Sequence, residues 1–192
     1  MKHYLMGFST SHPIPIMILA ALTGVLLGGC LGTPEGVVAV DNFDKQRYLG
    51  RWYEVARLDH SFERGLSNVT ADYSLREDGG IRVINRGFSV EDGEWQQAEG
   101  RAYFVTDEQT AQLKVSFFGP FYGSYIVFEL GSQNPGDYEY AFVAGNSRDY
   151  LWLLARTPEI SPALRQQFIQ RVGELGFDKD GLIFVDQGLN IQ

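Results

Sequence analysis

A chain of 192 residues, 44% of them hydrophobic and 14% aromatic, is long enough to bury one core and too apolar to stay disordered. Its formal charge of −8, with no Lys/Arg run longer than two residues, argues against nucleic acid as a partner, because that binding neutralises phosphates with clustered cations. A single cysteine, Cys30, leaves no pair for an internal disulfide.

Residues 1–29 read as an export signal. Lys2 precedes the apolar run IPIMILAALTGVLL that starts at Ile14, and no acid occurs before Glu35. Such a run is short for a permanent membrane helix and suits a cleavable signal; Met6 and Met17 remain open as alternative starts. The stretch LGGC, Leu27 to Cys30, resembles the bacterial lipobox, which implies cleavage before Cys30 and acylation of its thiol. Leu31, in place of Asp after that cysteine, resembles lipoproteins sorted to the outer membrane, with the folded domain expected on the periplasmic side. Without the signal the chain keeps 15 Lys plus Arg against 24 acids, so the membrane is expected to be reached through lipid and not through a basic patch.

Residues 30–41, with Gly and Pro among them, read as a lipidated tether, and 42–192 as one domain. FDKQRYLG offers a single helical turn ending at Gly50. Short strands follow, separated by turn signals. In NVTADYSL, Val69, Ala71, Tyr73 and Leu75 share one face. After the REDGG turn comes IRVINRGF, and then QAEGRAYFV, where Ala98, Gly100, Ala102 and Phe104 alternate with Glu99, Arg101 and Tyr103. AQLKVSFF, the turn GPFYG and SYIVFEL come next, the last with its inward face undecided because residues of both parities are apolar. In DYEYAFVA, Tyr138, Tyr140, Phe142 and Ala144 share a face, and DYLWLLAR closes the series.

Eight consecutive antiparallel strands, Gly50 to Arg156, leave edges that an up-and-down barrel removes most completely, and a barrel of that size has room for one small ligand. The expected fold is therefore all-β. Small residues (Ala71, Ala98, Gly100, Ala102, Ala144) mixed with aromatics on the expected inner face favour a hollow interior over a solid one. One helix follows in SPALRQQFIQRVGELG, with Ser161 as N-cap, Pro162 at its first position and Leu164, Phe168, Val172 and Leu175 as the stripe that packs on the outside of the barrel. LIFV makes a short ninth strand.

GRWYEVAR, Gly50 to Arg57, resembles the G-x-W signature of the lipocalin family, and GDYEYAFVA and LLARTPEIS resemble its second and third motifs. FDKQRYLGRWYEVARLDHSFERGL, LKVSFFGPFYG and RDYLWLLARTP extend the likeness to the outer-membrane lipoprotein lipocalins of Gram-negative bacteria. The resemblance implies that Trp52 plugs the closed end with Arg156 across its ring and Gly50 at the turn, giving a structural role to all three. It also implies a ligand such as a fatty acid or lysophospholipid, held for storage or transport in outer-membrane maintenance under stress. Registered from this kernel, the expected lining is Glu54 and Ala56, Ala71 and Tyr73, Ala98, Ala102 and Phe104, Tyr138, Tyr140 and Phe142, and Tyr150, Trp152 and Leu154. An inward Glu54 needs a partner or a raised pKa, and a tyrosine hydroxyl is the expected donor.

After Cys30 the chain has one histidine, His60, expected as a loop ion pair with Asp59, so no metal, cofactor or His-based triad is expected. Phe121 and Tyr122 in GPFYG are turn residues that could also serve a barrel mouth or a homodimer. Two other readings stay open: an enzyme using Glu54 with a tyrosine, and a structural lipoprotein with a filled barrel.

Overall fold

The computed structural model describes residues 31–132 and 136–188. The signal segment and Cys30 lie outside the described residues. A single turn, α1 (Lys45–Tyr48), opens the domain, with Asp44 Oδ1 accepting from the Gln46 amide at 2.9 Å. Eight strands follow: β1 (Gly50–Arg57), β2 (Leu66–Leu75), β3 (Ile81–Ser89), β4 (Glu94–Phe104), β5 (Gln112–Ser116), β6 (Gly123–Ser132), β7 (Tyr138–Ala144) and β8 (Leu151–Ala155). Each pairs antiparallel with the next, and β1 also pairs with β8, which closes the barrel and leaves no long free edge.

Helix α2 (Pro162–Glu174) then lies against the outside. Ser161 Oγ accepts from the Leu164 amide at 3.1 Å, Pro162 occupies the first turn, and Phe168 and Val172 are wholly buried. Strand β9 (Ile183–Phe184) adds to β1 opposite Ala56 and Arg57. Two apolar clusters result. One fills the inner face of the barrel and includes Trp52, Ala71, Tyr73, Val83, Ala102 and Val127. The other, between the outer wall and α2, includes Val55, Phe128, Phe142, Leu153, Phe168 and Val172.

This double burial explains where strand alternation misleads. Tyr140 and Phe142, expected on the inner wall, belong to the outer cluster; Phe168 sits edge-on to Phe142 at 4.8 Å between ring centroids, and Gln167 Nε2 donates to the Tyr140 hydroxyl at 2.9 Å. Ala144 goes with them, and the inward residues of β7 are Ala141 and Val143. Because α2 covers the outside, both faces of β7 are apolar, and a register shift at Gly131/Ser132 of β6 puts Tyr138 on the inner side while Tyr140 faces out. Ala56 is corrected for a similar reason. A register shift between Glu54 and Ala56 turns Val55 and Ala56 both outward, and brings Arg57 inward opposite Trp152. In β6 the inward residues are Tyr125 and Val127, with Ile126 and Phe128 under α2.

Within the stretch read as a tether, the described residues from Gly32 onward pack on the barrel. Val37 is buried, the Val40 amide donates to Val127 O at 2.9 Å, and Val40 O accepts from the Ala111 amide at 2.9 Å.

Candidate ligand-binding site in the barrel

The two ends of the barrel differ. β1 starts beside α1, so the loops at 58–65, 90–93, 117–122 and 145–150 share the opposite end, the mouth. At the α1 end Trp52 has no exposed surface; its Nε1 donates to Tyr48 O at 2.8 Å and its ring packs on Tyr48 at 4.9 Å. Arg156 Cζ lies 3.9 Å from the centroid of the Trp52 ring, a cation–π contact worth about 2 kcal/mol where water is excluded. The guanidinium also donates to the carbonyls of Arg47, Leu49, Arg51 and Tyr138. Gly50, with φ +90°, holds a backbone conformation that other residues resist, and a Cβ there would approach Arg156 Nη1 at 3.5 Å. Tyr138, on the inner side, sits low in this end, stacked on Phe43 at 6.0 Å and accepting from the Asp44 amide.

Above the plug, three tyrosine hydroxyls satisfy one another. Tyr125 bonds to Tyr48 at 2.6 Å and to Tyr73 at 2.9 Å. Burial pushes the pKa of all three upward, so they stay neutral donors and acceptors. Ala71, Ala102, Phe104 and Leu154 face the same interior. Gly100 does too, and the absence of its side chain admits the Phe117 ring, which a Cβ would meet at 2.8 Å. Several inward side chains keep part of their surface open, among them Val115, Phe117, Tyr125, Leu130 and Trp152. Val115, Phe117 and Trp152 lie toward the mouth, from which that surface is reached. Ala98 lies on the Ala102 face of β4, nearer the mouth, and is exposed.

Near the mouth the wall becomes polar. Arg57 Nη1 donates to Glu54 Oε1 at 2.7 Å, and its Nη2 donates to Glu63 O at 2.7 Å and Leu66 O at 3.3 Å. Trp152 Nε1 donates to Glu63 Oε2 at 3.0 Å. Arg57, Glu54, Glu63 and His60 are all buried. The tyrosine expected to partner Glu54 is replaced by Arg57, because the tyrosine hydroxyls bond to each other. Burial, and after it the neighbouring Glu63, raises the Glu54 pKa well above the ordinary carboxylate range; burial also raises that of Glu63. One guanidinium serves two buried carboxyls, so holding a proton on the pair relieves their repulsion.

His60 does not pair with Asp59, whose carboxylate is taken by Arg64 at 2.6 Å. The imidazole instead stacks on Phe62 at 4.1 Å and packs near Trp152 and Tyr150. Its Nε2 is 3.2 Å from Glu63 Oε2 but off the line of a hydrogen bond, and both ring nitrogens lack a partner. Burial first, then Arg57, lowers its pKa from 6.5 to about 4. Between those values the unfolded chain binds a proton that the native state refuses, so His60 weakens the fold as pH falls from 6.5 toward 4. Glu54 and Glu63 act in the opposite sense, since their raised pKa values make the native state the better proton acceptor. His60→Gln removes only the first effect. Its unfolding free energy should therefore improve relative to the parent, by about 1–2 kcal/mol after allowing for solvent at the mouth, as pH drops through that window. Parallel curves for the two proteins in urea titrations across the window would refute the assignment.

Of the expected lining, the structure brings Glu54, Ala71, Tyr73, Ala102, Phe104, Trp152 and Leu154 to one interior, with Tyr150 stacked at its rim. Arg57 and Glu63 were missed. Alternation from Trp52 points Arg57 outward, and Glu63 sits in a loop to which no periodicity applies. Among the described residues no cluster of His, Cys, Asp and Glu could hold a metal ion.

A closed eight-stranded barrel with one outer helix and a plugged end defines the lipocalin class, and a family model for the lipocalin-like domain matches residues 43–187. The chain belongs to the lipocalin family. Within that family it is similar to the outer membrane lipoprotein Blc of Vibrio cholerae, 59% identical over 88% of this chain and 98% of that protein. It is 50% identical to the Blc of Escherichia coli K12 over 89% of this chain and 96% of that protein. These relatives place it at the outer membrane of a Gram-negative bacterium. Among solved structures, insecticyanin from the tobacco hornworm shares the fold, with TM-score 0.60 and 18% identity over 81% of this chain and 86% of that one.

Proposed function

We propose that the barrel takes up the acyl chain of a single lipid, and that an acylated Cys30 holds it at the outer membrane for lipid storage or transport in membrane maintenance under stress. The observation that carries this reading is the inner wall itself: apolar, aromatic, and with Val115, Phe117 and Tyr125 still partly uncovered between the mouth and the tyrosines. Burying a hydrocarbon tail against such a wall gains about 25 cal/mol per Å². Ala71, Tyr73, Ala102, Phe104, Trp152 and Leu154 are the proposed contacts, while Gly50, Trp52 and Arg156 close the far end.

The mouth cluster bears on the head group. Arg57 is already bonded to Glu54 and to two carbonyls, so it offers little to a fatty-acid carboxylate, and two buried acids repel one. A lysophospholipid, whose zwitterionic head can remain outside the mouth, fits this electrostatics better than a free fatty acid. An enzymatic reading would have to use the Glu54–Glu63 pair as acid and base.

Mass analysis of lipid extracted from the purified protein should return one acyl lipid per chain with its ester intact. Recovery of only cleaved products would favour the enzyme, and a lipid-free protein would favour a filled barrel. The Cys30→Ser variant should accumulate as a precursor that radiolabelled palmitate does not mark; labelling of that variant would refute the anchor.

A further inference from the structure

The chain enters the fold at the mouth. Gly32 O accepts from Ser124 Oγ at 2.7 Å, and a Cβ on Gly32 would meet Asn146 O at 3.0 Å. Ser124 lies just after the 117–122 loop and Asn146 within the 145–150 loop, both at the open end. Glu35 O accepts from Arg148 Nη2 at 2.8 Å in the same region. From there the segment descends past Val40, bonded to Val127, to Phe43, whose amide donates to Gln109 O near the plugged end. The described chain therefore begins, at Leu31 and Gly32, beside the mouth and away from the plug.

The same end carries most of the large apolar side chains left in water. Phe118 is 81% exposed and Phe121 67%, both in the loop that precedes Ser124. Phe62, Val90 and Trp95 are exposed on the other side of the opening. The 117–122 loop, FFGPFY, contains no acid or cation. The Val90–Trp95 corner differs, since Glu91, Asp92 and Glu94 keep it in water or among head groups. Aromatic side chains with adjacent backbone suit the boundary between head groups and acyl chains. Several acyl chains on one cysteine fix residence at a bilayer but leave orientation free, and a second apolar contact beside them sets it.

Resting on the reading of Cys30 as an acylated anchor, we propose that the edge of the mouth formed by Phe118 and Phe121 docks into the lipid surface that holds Cys30, so that the barrel opens onto the leaflet. A tail then passes between bilayer and barrel without crossing bulk water. The surface is a zwitterionic lipid one, because the net charge of the chain, −8, disfavours an anionic surface.

The test uses the full, acylated protein in phosphatidylcholine vesicles whose acyl chains carry bromine, which quenches tryptophan on contact. Two variants each add one reporter: Phe118→Trp at the mouth, and Leu75→Trp at the plugged end, where Leu75 is also exposed. Flotation with the vesicles is scored first. The proposal expects both variants to float, with the added emission quenched for Phe118→Trp and unquenched for Leu75→Trp. Quenching at Leu75→Trp in place of Phe118→Trp, or at neither in floating protein, overturns it while leaving the anchor standing. An emission shift at Phe118→Trp that follows protein concentration without lipid would assign the edge to a second copy of the chain and overturn it as well. Failure of the acylated parent to float would remove the anchor itself, a result the flotation step separates from the others.

Discussion

Trp52→Ala should lower the unfolding free energy by about 3–5 kcal/mol, the largest loss expected from any inner-wall truncation in this barrel. The indole is wholly buried, and its Nε1 satisfies Tyr48 O at 2.8 Å. Its removal leaves a void bounded by Tyr48 and Ala71, and takes away the face that Arg156 covers. Arg156 would keep its carbonyl acceptors at Arg47, Leu49, Arg51 and Tyr138, so the end should loosen without losing its backbone ties. Trp52→Phe, which keeps a ring under the guanidinium but loses the donor to Tyr48, should fall between the parent and the alanine variant. Equilibrium urea unfolding measures all three. An alanine variant within about 0.5 kcal/mol of the parent, the ordinary range for surface sites, would show that Trp52 is no plug.

Arg57→Met should destabilise by a similar amount, about 3–5 kcal/mol at neutral pH, because it strands buried charge. The guanidinium is the cation bonded to Glu54, and it also satisfies Glu63 O and Leu66 O. Without it the two buried carboxyls face each other with no cation between them, so their already raised pKa values should climb further. The penalty should therefore shrink in mild acid, where both carboxyls protonate. Adding Glu54→Gln to Arg57→Met should recover part of the loss at neutral pH, since it removes one of the two acids that share the buried charge. A loss that is small, unchanged by acid and not relieved by Glu54→Gln would mean that the cluster is solvated and plays no part in the mouth.

Much of this architecture is legible in the sequence. The eight strands, the capped helix over Ser161 to Gly176 and the short last strand follow from turn signals and periodicity, because each local choice agrees with the global fold. The Trp52–Arg156 contact came from motif resemblance; nothing in composition or spacing puts an arginine from β8 on an indole from β1. Alternation failed where its premise failed. It assumes one wet face, yet α2 makes the outside of β7 as apolar as its inside, so alternation puts Tyr140 and Phe142 on the inner wall while they face α2. It also assumes an unbroken period, and the shift between Glu54 and Ala56 reverses every side chain after it. That shift turns the cation at the end of β1 inward, where Arg57 meets Glu54. His60 and Glu63 come from a loop, and what buries them is the packing of Phe62, Tyr150 and Trp152, contacts made across the whole length of the chain.

The most direct test of a lipid-holding interior is tryptophan emission from the domain beginning at Leu31, titrated with a lysophospholipid bearing bromine on its acyl chain. Trp152 faces the inner wall, whereas Trp52 lies sealed beneath the tyrosines and Trp95 stands outside. Saturable quenching at one lipid per barrel, lost when Ala102→Trp fills the interior, is the expected result. No quenching at any concentration below that at which the lipid forms micelles would contradict a hollow barrel and with it the function proposed.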